Sequence, residues 1–139
     1  MVTLATIQDI AEWMNENLHR DIKIKDVAER SDSTDNGKTW CEAQPTSLPN
    51  NNSGIDLVRT PSGVLVLAWN PVGGNWGQRY PISLSVSTDN GESWAEPVDL
   101  ENEQGEFSYP AIISDGDVIH LTYTWNRKNI VYYRFQITC

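Results

Sequence analysis

Two hydrophobic periodicities divide the chain. Ile7, Ile10, Ala11, Met14 and Leu18 recur at intervals of three and four, the spacing of one helix face. Thr6 is placed to cap this run and Asp9 follows three residues on, so a helix is expected over residues 7–19. Ile22 and Ile24 lead into Asp26-Val27-Ala28-Glu29-Arg30, which starts a second helical pattern and loses it at Ser31-Asp32-Ser33. From Asp32 onward, apolar residues come in short runs separated by Gly, Pro, Asn and Asp, the pattern of strands and tight turns. Strands are expected over 55–60, 64–69 and 81–87, with a fourth opening at Trp94, and then over 109–114, 118–125 and 130–135. Residues 50–136 should therefore form two antiparallel sheets, one of four strands and one of three.

The strand-rich part contains a repeat. Ser33-Thr34-Asp35-Asn36-Gly37-Lys38-Thr39-Trp40 returns 54 residues later as Ser87-Thr88-Asp89-Asn90-Gly91-Glu92-Ser93-Trp94, with six of eight positions identical. Asn-Gly is a hairpin signal because both residues accept positive φ. The Asp carboxylate can accept hydrogen bonds from its own turn, and the Trp is expected to anchor the outgoing strand in an apolar layer. Each of Ser33, Asp35, Gly37, Trp40, Ser87, Asp89, Gly91 and Trp94 thus has a structural role in its turn.

This S-x-D-x-G-x-[T/S]-W pattern resembles the Asp-box, or BNR repeat, of sialidases and related β-propellers. The spacing of the copies is close to one four-stranded propeller blade, roughly 40 to 50 residues. The implied fold class is mainly β: a partial β-propeller of about two blades, preceded by a short α-helical segment. With 139 residues the chain is too short for a whole propeller, which needs at least four blades. The first Asp-box should lack the strand that precedes the second, its place being held by Val27-Ala28-Glu29-Arg30. In this reading a helical segment, residues 1–31, has replaced earlier blades and joins a propeller piece at 32–139.

The helical segment carries its own resemblance. Ile7 to Leu18, followed by Ile22-Lys23-Ile24-Lys25-Asp26-Val27-Ala28-Glu29-Arg30-Ser31, is similar to the opening of the AraC/XylS-type DNA-binding domain. In that family the chain continues into the recognition helix that enters the major groove. Here the sequence departs at Asp32, and residues 1–31 hold six acidic against four basic residues. A DNA-binding regulator is accordingly the weakest of three functional readings.

The stretch from Pro49 through Asp56, Trp69-Asn70-Pro71 and Arg79 to Gly105–Ile113 and Ile119–Trp125 resembles the C-terminal portion of predicted neuraminidases of the BNR-repeat type. Sialidases bind the substrate carboxylate with three arginines and use a Tyr nucleophile paired with a Glu. The resemblance implies that Arg79, eight residues before the Ser of the second Asp-box, is the third arginine. It implies that Tyr109, after the box, is the nucleophile, although Tyr109-Pro110 departs from the family's Tyr-Ser. Glu106 is a candidate proton partner or a solvated acid of its loop, and His120 is read as a strand residue facing a neighbour. The remaining catalytic groups belong to blades this chain does not contain. The first reading is thus a sialidase-like glycoside hydrolase piece, inactive alone. The second is a non-catalytic Asp-box module binding carbohydrate or protein through the aromatic loop from Asn70 to Tyr80.

Composition narrows the partners. A net charge of −9 disfavours nucleic acid and anionic membranes, which need clustered Lys and Arg. A carbohydrate ligand is expected, as is self-association through unpaired propeller edges. The two cysteines, Cys41 and Cys139, have no metal-ligand spacing, so no metal and no cofactor is expected. Without a basic-apolar-small leader or a long apolar run, the chain as written is expected in the cytoplasm.

Overall fold

A computed structural model describes residues 27–138, and the helix expected over 7–19 lies outside the described residues. Among the described residues, nine strands form three antiparallel sheets that do not close on themselves. Strands β1 (Val27–Arg30) and β2 (Gln44–Pro49) pair as a two-stranded sheet around the first Asp-box. Strands β3 (Asp56–Arg59), β4 (Leu65–Trp69), β5 (Ile82–Ser87) and β6 (Val98–Glu101) form the second sheet in sequence order. The third holds β7 (Phe107–Asp115), β8 (Val118–Trp125) and β9 (Asn129–Gln136). The four-plus-three arrangement expected over residues 50–136 is present, in the order of a blade followed by the first three strands of the next.

Three expectations are corrected. Val27–Arg30 is a strand and not the start of a helix, so the first Asp-box has its preceding strand after all. Ala28-Glu29-Arg30 has helical propensity, but the backbone bonds with β2 override it. The end of β1 is also held by Arg30, whose guanidinium bonds Asp32 at 3.0 and 3.1 Å and Glu92 of the second box at 3.0 Å. Second, β6 opens at Val98 instead of Trp94. The Ala95 amide bonds back to Val86 O at 2.9 Å, which keeps the chain in its turn, and Pro97 follows. Third, Trp40 is 64 % exposed, so it anchors no apolar layer; its indole Nε1 donates to Gly37 O at 3.1 Å. Its counterpart Trp94 is half-buried against the second sheet. Strand β2, with prolines at 45 and 49, was not expected; an outer strand tolerates proline because its missing amide need not face a partner.

The core lies between the second and third sheets. Val66, Ala68, Ile82 and Leu84 from one face meet Phe107, Ile112, Ile119, Leu121 and Tyr123 from the other. All five β4 residues are buried, as their continuous apolar run requires of a strand covered on both faces. The Tyr123 hydroxyl, buried at the edge of this core, donates to Glu101 at 2.8 Å. Further polar ties join the sheets: Asp56 accepts from the Ile112 amide at 2.8 Å, and Ser62 donates to Asp117 at 2.8 Å.

Candidate functional site

Strand direction separates two ends of the molecule. β4 rises to the loop 70–81, β5 descends to the second Asp-box, and β6 rises again to the loop 102–106. β7 descends and β8 returns to the turn at 126–128. Both Asp-boxes therefore lie at one end, and the loops 50–55, 70–81, 102–106 and 126–128 gather at the other.

The Asp-boxes are self-contained turns. In the second, Ser93 Oγ and N donate to Asp89 at 2.5 and 2.9 Å, and Ser87 Oγ donates to Asp89 Oδ1 at 2.7 Å while accepting from Gly91 N at 2.8 Å. The first repeats this with Thr39, Ser33 and Gly37, and Lys38 N adds a bond to Asp35 at 3.0 Å. Asn36 and Asn90 both have φ of 59°, and Gly37 and Gly91 follow at 83° and 86°, as the hairpin signal requires. The Thr39 hydroxyl, then its amide, hold the Asp35 carboxyl at a pKa of about 2, and Ser93 does the same for Asp89. These carboxylates serve their own turns.

The opposite end brings together Arg79, Glu106 and Tyr109, all marked in the sequence, and adds Trp76 and Arg127. Trp76, Gly77, Arg79, Gly105, Glu106 and Arg127 line an open groove of about 300 Å³. Arg79 stands over the Tyr109 ring, its guanidinium carbon 5.4 Å from the centroid, within cation–π range. Glu106 Oε1 accepts from Arg127 Nε at 2.8 Å and faces Arg79 Nη1 at 3.5 Å. Arg79 Nη1 is buried and makes no hydrogen bond, as is Ser108 Oγ beside Tyr109. Buried polar atoms are normally paired, and what faces this nitrogen is the Glu106 carboxylate, in an ion pair too long for a good hydrogen bond.

Backbone geometry gives this end a second mark. Among the described residues, seven that are not glycine have positive φ; four are Asn, which tolerates it, and the other three are Trp76 (57°), Tyr109 (54°) and Arg127 (52°). Left-handed backbone costs about 1–2 kcal/mol at such residues and concentrates at functional sites. Tyr109 occupies a bulge between Ser108 and Ala111 that turns it out of the β7 ladder to 61 % exposure. Arg127 follows Asn126 in the β8–β9 turn, closed by Lys128 N to Trp125 O at 2.9 Å. Beneath the loops, Asn51 donates to Gln78 O at 2.7 Å, Phe107 N to Arg79 O at 2.9 Å, and Glu106 N to Asn126 Oδ1 at 2.8 Å.

The electrostatics suit an anion. Two guanidiniums against one carboxylate leave the groove locally positive on a chain of net charge −9. The Arg79 guanidinium lying over the ring, through its nearness to the phenol and then its charge, pulls the Tyr109 pKa below its usual value; Arg127 adds and Glu106 opposes. His120 lies elsewhere, its Nδ1 2.7 Å from the Tyr132 hydroxyl with the rings stacked, as a strand residue facing a neighbour. Among the described residues no group of three or more His, Cys, Asp or Glu could hold a metal ion, and no helix is long and apolar enough to cross a membrane.

Arg127 and Trp76 carried little signal in the sequence. The first reads as a turn residue and the second as one member of an aromatic loop; only the fold brings them to Arg79.

Comparison with curated proteins and with solved structures gave no match. Residues 16–121 match the family described as BNR repeat-like domain. That match begins inside the stretch resembling a helix–turn–helix and agrees with β1 belonging to the strand-rich part. Covering more than half of the chain, together with two Asp-box turns at one end of successive antiparallel sheets, it means that the chain belongs to the BNR repeat-like domain family.

Proposed function

We propose that the chain is part of a sialidase-like, neuraminidase-type β-propeller glycoside hydrolase, and that alone it binds an acidic saccharide weakly without turning it over. The observation that carries this reading is Arg79 held over the Tyr109 ring and beside Glu106, at the end opposite both Asp-boxes. Arg79 would meet a sugar carboxylate, and Tyr109, its phenol drawn toward ionisation, would be the nucleophile.

The same geometry supports the absence of turnover. Glu106, the acid that lines the groove, is already bonded by Arg127 and so is poorly free to take the Tyr109 proton. A general acid for the leaving oxygen typically contributes about 10² to 10⁴ in rate, and Arg79 and Arg127 cannot supply one. Incubation with a fluorogenic sialoside should give no release above background. Turnover abolished by Tyr109→Phe would contradict the inactive reading, while failure of any acidic saccharide to bind would contradict the carbohydrate reading. The non-catalytic module is favoured by one observation, Trp76 at 76 % exposure on the groove rim, and predicts binding indifferent to Tyr109→Phe.

A further inference from the structure

Among the described residues each sheet has two outer strands, and the outward backbone groups of such a strand can pair with another chain. All but one of these strands carry a feature that discourages it. β1, β3 and β6 are short and hold charged side chains, β2 has Pro45 and Pro49, and β7 has Pro110 and its bulge. β9 has none of these: its eight residues include no Pro, Lys, Asp or Glu, and its register with β8 runs without a break. The register also shows which way its backbone groups point. Ile137 N bonds Asp117 O at 2.9 Å, and alternate residues of an antiparallel strand face the partner, so Val131, Tyr133 and Phe135 turn their amides and carbonyls to β8. Those of Ile130, Tyr132, Arg134 and Gln136 point off the edge of the sheet. The first set of side chains packs on the core; the second lies on the outer face, where Ile130 is 78 % and Tyr132 57 % exposed. Tyr132 is fixed there by its bond and stacking to His120.

We propose that this edge is a homodimer interface, in which β9 pairs antiparallel with β9 of a second copy about a two-fold axis beside Tyr133. That register sets Tyr132 opposite the partner's Arg134 and Ile130 opposite the partner's Gln136, and it uses every outward amide and carbonyl from Ile130 to Gln136. An axis beside Tyr132 would set Gln136 opposite Lys128, which lies outside the strand, and so pairs less of it. A second copy is the occupant because the edge is self-complementary: no like charges face each other, and each guanidinium of Arg134 meets a phenol ring. Charge points the same way. A chain of net charge −9 repels its own copy over most of its surface, and β9, with one Arg and no acid, is where two copies can approach. The interface does not depend on the carbohydrate reading.

Sedimentation velocity of the full chain from micromolar to millimolar concentration, with amide hydrogen exchange at both ends of that range, tests this. The sedimenting mass should double as concentration rises. The Ile130, Tyr132, Arg134 and Gln136 amides should become protected over the same range, while those of Val131, Tyr133 and Phe135 are protected throughout. Tyr132→Lys sets a lysine against Arg134 in both halves of the two-fold interface and should weaken dimerisation about tenfold. Ile130→Lys puts a charge on the edge without touching the His120 bond and should weaken it too. Far-ultraviolet circular dichroism checks that each variant keeps the fold. A monomer over the whole range would overturn the proposal. So would a dimer whose outward β9 amides exchange freely, or one that both lysine variants form as readily as wild type.

Discussion

Replacing Asn70 should separate the site from the fold that holds it. Asn70 is 1 % exposed, at the end of β4. Its Nδ2 donates to Pro81 O at 2.7 Å and to Phe107 O at 3.2 Å, and its Oδ1 accepts from Ser53 Oγ at 3.1 Å. One side chain thus closes the two ends of the loop bearing Arg79 on each other and ties it to the strand that carries Tyr109. Asn70→Ala removes the two donated bonds, of about 1 kcal/mol each, and leaves two carbonyls without this donor, while the Ser53 hydroxyl keeps its bond to Asn51 Oδ1, so a loss of about 2–4 kcal/mol is expected. Asn70→Asp keeps the shape but sets a carboxylate against two carbonyls. Burial raises the folded pKa of the new carboxyl above its unfolded value, so the folded state holds more protons and stability falls as pH rises through the window between the two. Urea denaturation at pH 4 and pH 7 measures both effects: Asn70→Asp should be closer to wild type at pH 4. A loss below about 1 kcal/mol for Asn70→Ala, or no pH dependence for Asn70→Asp, would refute the assignment of these bonds.

Ser87 and Ser33 make the same bonds, but Ser87 is buried and Ser33 only partly so. Ser87→Ala should therefore cost about 1–3 kcal/mol in urea unfolding and Ser33→Ala distinctly less; equal costs would mean that burial does not set the value of the turn. Asp89 has its folded pKa lowered to about 2, so its contribution is present above the ordinary carboxyl value and disappears as pH falls toward 2. Asp89→Asn should flatten that acid limb, and an unchanged limb would count against it. Because Arg79 lowers the Tyr109 pKa, Arg79→Ala should raise it, measured from the ¹³Cζ shift during alkaline titration. A fall, or no change, would show that the two side chains do not interact.

The two sheets over 50–136 were legible because their apolar runs are short, punctuated by Gly, Pro and Asn-Gly, and buried largely as their alternation implies. β1 was not, because Ala28-Glu29-Arg30 has helical propensity and only pairing with β2 and the ties of Arg30 to Asp32 and Glu92 make it a strand. The Asp-box turns were readable down to their φ angles, since every bond is local, whereas the exposure of Trp40 depends on what covers it. Arg79 and Tyr109 were found through resemblance. The bulge that exposes Tyr109, and the turn that brings Arg127 to Glu106, are products of strand register and leave no mark in residue spacing.

Backbone amide shifts of the labelled chain, titrated with the α-methyl glycoside of N-acetylneuraminic acid, test most directly whether the end opposite the Asp-boxes is the carbohydrate site. The account predicts changes clustered at Trp76–Arg79, Gly105–Tyr109 and Asn126–Arg127, lost in Arg79→Ala, with the turns at 33–40 and 87–94 unmoved. Shifts centred on either Asp-box, or shifts at the groove that survive Arg79→Ala, would contradict it.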